Sequence, residues 1–312
     1  MPCPSKIMQS GGLRTKGITK SSRPGEPLIS VVTVVYNGAA TLEQTILSVL
    51  GQTYGNVEYL IIDGGSTDGT LDVIRRYEDK IDWWQSGPDG GIYDAMNKGI
   101  SLATGEYVYV LGCDDFLVDE GIFGRLKEHF LGGSDVISGT VWALDGRGWQ
   151  YEFGNNYGAS VEDDLRDRVS APHQGIFIKR PVMGRYPFDT RYKIAADYKL
   201  NLQLWTDGSL RIKKIRDKVA YYSTEGTSAR TVRLRREESQ AILGELGLGA
   251  SAPRLMGGNI FIRAMKRIVP DDKFWLYLKL IILRRIYRHR CGWEGCPYCS
   301  DRKVNKQCLT PR

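Results

Sequence analysis

No stretch of this chain is apolar over the ~20 residues that a bilayer-crossing helix needs. The most apolar run, Phe274 to Leu283, is broken by Lys279 and closed by Arg284 and Arg285, so no spanning helix is expected. An apolar leader is missing too: Gln9, Ser10, Gly11, Gly12 and Arg14 interrupt the first residues, and 1–26 reads as a mobile polar arm. Without a secretory leader, a disulfide framework among the six Cys is not expected. Neither Gly-x-x-x-x-Gly-Lys-Ser/Thr nor Gly-x-Gly-x-x-Gly occurs, which disfavours ATPase and dinucleotide-binding readings. Proline is sparse (12 residues) and there is no internal repeat, which sets aside low-complexity and repeat architectures.

What is present is an ordinary globular composition over 312 residues, 42% hydrophobic and 25% charged, enough for one large α/β domain or two modest ones. The net charge is +7, which taken whole suggests a polyanionic partner such as nucleic acid or an anionic membrane. Its distribution changes that reading. Residues 1–25 carry +5 with no acid, and residues 254–312 carry +10, which leaves −8 on residues 26–253. The chain therefore divides into a basic arm (1–26), an acidic body (27–230) and a basic helical extension (231–312).

Leu28 to Val35 is a β-branched run ending at Tyr36-Asn37-Gly38, the pattern of a strand buried on both faces. A helix follows over 42–50, with Thr41 as its cap. Strands are predicted at 57–62, 81–85 and 106–111, alternating with helices at 69–77 and 91–102. That alternation implies parallel pairing through crossovers. Later strands are expected at 135–140 and 175–179, and helices at 194–205, 231–243, 259–268 and 272–290.

In an open parallel sheet, ligands bind beyond the carboxyl ends of the strands. Two predicted strands end there in carboxylates: Asp63-Gly64-Gly65-Ser66-Thr67-Asp68-Gly69, and Gly112-Cys113-Asp114-Asp115. Adjacent carboxylates repel each other unless a divalent cation and its phosphate ligand share the site. These segments, together with Leu28–Asn37, Ser86-Gly87-Pro88-Asp89-Gly90-Gly91-Ile92-Tyr93-Asp94-Ala95-Met96-Asn97-Lys98-Gly99 and Ala103-Thr104-Gly105-Glu106, resemble the ordered motifs of family 2 glycosyltransferases over about residues 28–228.

The resemblance implies a GT-A fold, a three-layer α/β/α sandwich with a mostly parallel central sheet, here with a C-terminal helical extension. It implies a nucleotide-sugar donor of UDP or GDP type and a Mg²⁺ or Mn²⁺ ion. By the same analogy Val35, Tyr36 and Asn37 line the donor side, and Asp63 accepts a hydrogen bond from the nucleotide base. Many relatives have a second Asp where this chain has Gly64, and Asp or Asn where it has Gly112. Asp115 is expected to ligate the cation, with Asp114 beside it near the sugar and ribose. Asp89 and Asn97 would flank the donor phosphates, with Lys98 adding positive charge. Tyr192–Leu200 resembles the family's acidic motif, making Asp197 the expected general base, although Ala196 stands where relatives often carry Glu. Asp197 also reads simply as a carboxylate favoured at a helix N-terminus. His173-Gln174-Gly175 is expected on the acceptor side. The family chemistry is a single inverting displacement, and the absence of Gln-x-x-Arg-Trp favours transfer of one sugar.

The helix expected over 272–290 mixes Phe274, Trp275 and Tyr277 with Lys279, Arg284, Arg285, Arg288 and Arg290. It reads either as a helix packed on the body or as an interfacial helix on an anionic inner leaflet, near a lipid-linked or cell-surface glycan acceptor. The second reading implies a cytoplasmic protein peripheral to the inner face of the membrane, with no nucleic-acid partner. Cys291, Cys296, Cys299 and Cys308 offer either a structural Zn²⁺ site or free thiols. Two rival functions remain at this stage. A sugar-phosphate nucleotidyltransferase would need basic residues after the first strand, where Tyr36–Ala40 has none, and a nucleic-acid-binding protein would use the basic ends.

Overall fold

The β-branched run becomes strand β2 (Ile29–Val35), buried at every residue. It pairs in parallel with β3 (Val57–Asp63) on one side and β5 (Tyr107–Gly112) on the other, and β4 (Trp83–Ser86) extends the parallel set beyond β3. A computed structural model describes residues 8–144, 150–154, 171–224 and 231–248. The helices expected at 259–268 and 272–290 and the four-cysteine cluster lie outside the described residues.

Alternation along β2 builds the layers. Ile29, Val31 and Val35 pack with helix α1 (Leu42–Leu50), helix α2 (Thr70–Arg76) and helix α4 (Ile122–Leu131). Val32 and Val34 pack against α3 (Ile92–Leu102), α5 (Arg180–Arg185) and α6 (Ala196–Thr206) on the opposite face. Helices on both faces of one sheet make the three-layer sandwich the sequence implied. Gly99 lets α3 lie close: a Cβ there would stand 2.3 Å from Val32 Cγ1.

Beyond β5 the sheet becomes mixed. Strand β9 (Ile176–Lys179) runs antiparallel between β5 and β7 (Val136–Leu144). Strand β10 (Ile212–Ser223) is parallel to β7, with β6 (Phe116–Leu117) antiparallel on its outer side and β8 (Gln150–Gly154) antiparallel to β7. With β1 (Gln9–Gly11) antiparallel to β4, the order is β1-β4-β3-β2-β5-β9-β7-β10-β6. Strand β10 was not foreseen, because its inward Ile215, Val219 and Ala220 are interleaved with Lys213, Lys214, Arg216 and Lys218. Lysines and arginines near a sheet edge hide the alternation and discourage edge-to-edge association.

The expectation of a mobile arm is corrected over residues 8–26. Besides the β1 pairing, Leu13 and Arg14 donate backbone N–H bonds to the carbonyls of Ile81 and Asp82. The physical cause is charge. Glu58 and Asp82 are carboxylates only 1% exposed, and they are paired by Arg14 and by Lys20 (2.8 Å to Asp82). Two of the arm's five basic residues are thus spent on neutralising buried carboxylates of the body. The boundary at 230/231 also moves, because α7 (Val232–Glu245) packs Ile242 and Leu243 against Ala195 and Leu202.

Glu58 gives this anchoring a pH signature. Burial pushes its carboxyl up, but bonds from Ser30, Thr104 and Arg14 outweigh that and hold it below its ordinary value of 4.5. A depressed carboxyl contributes stability that is present above the unfolded value and lost as pH falls through the folded one. The melting-temperature gap between the wild type and Glu58→Gln should therefore be widest above pH 4.5 and close on acidification. Thermal unfolding at a series of pH values checks this; a gap independent of pH would contradict it.

Candidate active site

The carboxyl ends of β2, β3, β4 and β5 bring four loops together. After β2, Tyr36 is 67% exposed and Asn37 adopts a left-handed φ of 52°. Asn37 accepts the Thr67 N–H at 2.9 Å through its side chain and donates its own N–H to Ser66 Oγ at 2.7 Å. Ala39 N–H donates to Asp68 at 3.0 Å, so the β2 and β3 loops are laced into one surface. Val35 lies beneath them and is buried.

Asp63 is the knot of that lacing. It is 1% exposed and accepts bonds from the N–H groups of Gly65 and Ser66, the Ser66 hydroxyl, and the Ser86 hydroxyl at 2.5 Å. Its oxygens are engaged within the loop. Asp89 is a partly exposed carboxylate at this end of the sheet: its Oδ1 accepts the Gly91 N–H at 2.8 Å, and its Oδ2 lies 2.7 Å from where a Cβ on Gly64 would stand, with Tyr36 Cδ2 at 3.3 Å. Asp89 therefore fills the space beside Gly64, where many relatives carry a second Asp.

Asn97 and Lys98 are tied elsewhere. Asn97 brackets the backbone of Phe188, donating to its carbonyl at 2.8 Å and accepting its N–H at 2.9 Å, so its amide is spent on joining α3 to the 186–189 segment. Lys98 pairs with Asp94 at 2.8 Å.

After β5 the chain places Asp114 and Asp115. Asp115 is 2% exposed, and its two oxygens accept bonds from Gln174 Nε2 (2.8 Å) and Ser223 N–H (3.0 Å). Asp114 is half-buried beside it. Asp114 Oδ1 and Asp115 Oδ2 would lie 3.2 and 2.7 Å from a Cβ on Gly112, so that glycine is what lets the two carboxylates converge. Burial raises both carboxyls, and the charge of Asp114 raises Asp115 further. Among the described residues no Lys or Arg pairs with either. Two converging hard oxygen donors without a Lys or Arg partner suit Mg²⁺ or Mn²⁺, ions that commonly take one or two protein carboxylates and complete their shell with substrate phosphates.

Asp197 occupies the first turn of α6, as expected. It accepts the Tyr93 hydroxyl at 3.1 Å and the Tyr198 N–H at 2.8 Å through Oδ1, and His173 Nδ1 stands 3.7 Å from Oδ2. Tyr93 is buried, stacked on Phe188 at 5.4 Å, and its hydroxyl is raised by burial and then by the charge of Asp197, so it stays a donor. The short 3₁₀ turn His173–Gly175 joins the two halves of the site: Gln174 holds Asp115 and adjacent His173 faces Asp197.

Tyr93 and Ser223 are contacts of the candidate carboxylates that sequence reasoning missed, and Gln174, expected on the acceptor side with His173, instead bonds Asp115. Tyr93 lay within a motif read for its charged members, and the N–H of Ser223 carries no sequence signal.

In a three-layer α/β sandwich the carboxylates beyond the carboxyl ends of the strands lie where open sheets bind their ligands. Residues 30–192 match the model of the family described as Glycosyl transferase family 2, and the chain belongs to that family of glycosyltransferases. A PGL/p-HBAD biosynthesis glycosyltransferase of Mycobacterium bovis is 32% identical over 213 residues, covering 66% of this chain and 80% of the relative. An uncharacterized glycosyltransferase of Haemophilus influenzae is 38% identical over 104 residues, 32% of this chain and 42% of that one. The fold is shared with S. aureus TarS in complex with UDP-GlcNAc (TM-score 0.56, 19% identity, 70% of this chain and 66% of that chain). It is shared also with the mannosyltransferase PcManGT of Pyrobaculum calidifontis in complex with GDP-Man and Mn²⁺ (TM-score 0.55, 18% identity, 77% and 71%). Among the described residues no helix is long and apolar enough to cross a membrane.

Proposed function

We propose that this glycosyltransferase moves one sugar, with inversion, from a UDP- or GDP-linked donor to a hydroxyl of a lipid-linked or cell-surface glycan acceptor. The observation that carries the reading is the His173–Gln174 turn, which sets a carboxylate pair on one side and a separate carboxylate on the other. One displacement needs these two functions apart: charge neutralisation for the leaving group and a base for the acceptor.

Asp115 and Asp114 are the residues that would hold Mg²⁺ or Mn²⁺. When bound, such an ion supplies Lewis-acid stabilisation to the departing diphosphate. Gln174 and the Ser223 N–H fix the Asp115 carboxylate. The exposed ring of Tyr36, with Asp89 beside it, offers a face and an acceptor to the nucleotide base. Across the site Asp197 takes the proton of the acceptor hydroxyl as that oxygen attacks the anomeric carbon. The Tyr93 hydroxyl holds Asp197 Oδ1, which leaves Oδ2, the oxygen facing His173, for the transfer.

The acceptor assignment rests on the basic segment 254–312. Its +10 charge is suited to an anionic inner leaflet, where each basic residue contributes about 1 kcal/mol. A peripheral protein held there meets lipid-linked acceptors directly. The nucleotidyltransferase alternative gains nothing, since the loop after β2 is Tyr36–Ala40 without a cation.

Calorimetric titration with UDP-GlcNAc, GDP-mannose and dTDP-sugars, in Mn²⁺ or Mg²⁺ and then in chelator, tests the donor assignment. One nucleotide series should bind only with the cation. Binding of none, or binding indifferent to chelator, would refute it.

A further inference from the structure

Helix α6, which carries Asp197, has no cap of its own. Its N-cap position is Ala195, preceded by Lys193 and Ile194, and none of these side chains accepts a hydrogen bond. The N–H groups of a segment leading into a helix need acceptors when buried, as do those of the first turn. Here the acceptor comes from 43 residues downstream. Glu238 on α7, 9% exposed, takes the N–H of Lys193 on Oε1 at 2.8 Å, and those of Ile194 and Ala195 on Oε2 at 2.9 Å each.

A second grip lies one face along. Lys199, 5% exposed, donates to Glu245 of α7 at 2.5 Å and to Asp189 at 2.7 Å. Tyr192 donates its hydroxyl to Glu245 at 2.7 Å, and Arg191 reaches the same carboxylate at 3.0 Å. Ile242 and Leu243 fill the space between these grips against Ala195 and Leu202. Helix α7 thus holds both flanks of the segment bearing Asp197.

We propose that Glu238 is the positioning residue of the acceptor base: by binding three consecutive N–H groups that end two residues before Asp197, it fixes the carboxylate against Tyr93 and His173. This rests on the reading of Asp197 as the base. Glu238 touches neither donor nor acceptor and acts only through the α6 start. Charge-assisted bonds to backbone N–H groups are stronger than neutral ones, and a glutamine at 238 offers one acceptor oxygen and turns an NH₂ toward donors.

The test uses the full chain, with the donor chosen by titration and Mn²⁺ present. Glu238→Gln should lower kcat about 100-fold, the scale of a catalytic group displaced by an ångström, while donor KM and UDP affinity stay unchanged. Arg233→Ala, on the exposed side of α7, should leave both parameters as in the wild type. Hydrogen exchange supplies a readout that does not need the variant to fold: in the wild type, the amides of 193–195 should be protected to the level of a helix interior. An unchanged kcat in Glu238→Gln, a matching loss of UDP affinity, or open-loop exchange at 193–195 would each overturn the assignment. Asp197→Asn is run beside it. Full turnover there sinks the base reading itself, whereas an inactive Asp197→Asn with a fully active Glu238→Gln sinks only the positioning role.

Discussion

Replacing Asp197 with asparagine should slow sugar transfer by orders of magnitude while leaving donor binding intact. Asparagine is nearly isosteric and keeps an oxygen that accepts the Tyr93 hydroxyl and the Tyr198 N–H, so the local packing survives. What it loses is the capacity to take a proton. General-base catalysis is worth about 10²–10⁴-fold, so kcat should fall by that factor with donor KM unchanged. Steady-state kinetics on the donor selected by titration check this. A variant with wild-type turnover would remove Asp197 as base, and one that also loses nucleotide affinity would give the residue a structural role instead.

The second large effect is expected at Asp115. Its carboxylate is buried beside Asp114 and fixed from two directions, so removing it empties the firmer half of the donor pair. Asp115→Ala should weaken nucleotide-diphosphate binding about 100-fold, about 2.8 kcal/mol, in Mn²⁺ or Mg²⁺. In chelator the variant and the wild type should bind equally weakly. Equal loss of affinity with and without the cation would contradict a metal role for Asp115.

The parallel half of the sheet was legible because its signals are local. The β-branched run of β2, the carboxylates that end β3 and follow β5, and the Gly-rich helix starts all sit within a few residues of what they determine. The resemblance then named Asp114, Asp115 and Asp197 from their motifs, and the structure places them around one turn. What stayed hidden depends on partners distant in sequence. Arg14 and Lys20 read as a solvated basic arm because the buried carboxylates they neutralise, Glu58 and Asp82, lie 44 and 62 residues away. Asn97 read as a donor contact because nothing nearby in sequence shows that Phe188 closes on both ends of its amide. Glu238 has no local sequence signal at all, since the three backbone N–H groups it binds lie 43 to 45 residues earlier.

The most direct test of the central claim, a single displacement between Asp197 and a diphosphate leaving group, is the anomeric configuration of the first product. Proton NMR during slow hydrolysis of an α-linked UDP- or GDP-sugar by the wild type, read before the free sugar mutarotates, reports it without any knowledge of the acceptor. The account predicts that the β anomer forms first. Initial release of the α anomer would contradict an inverting displacement and the role given to Asp197.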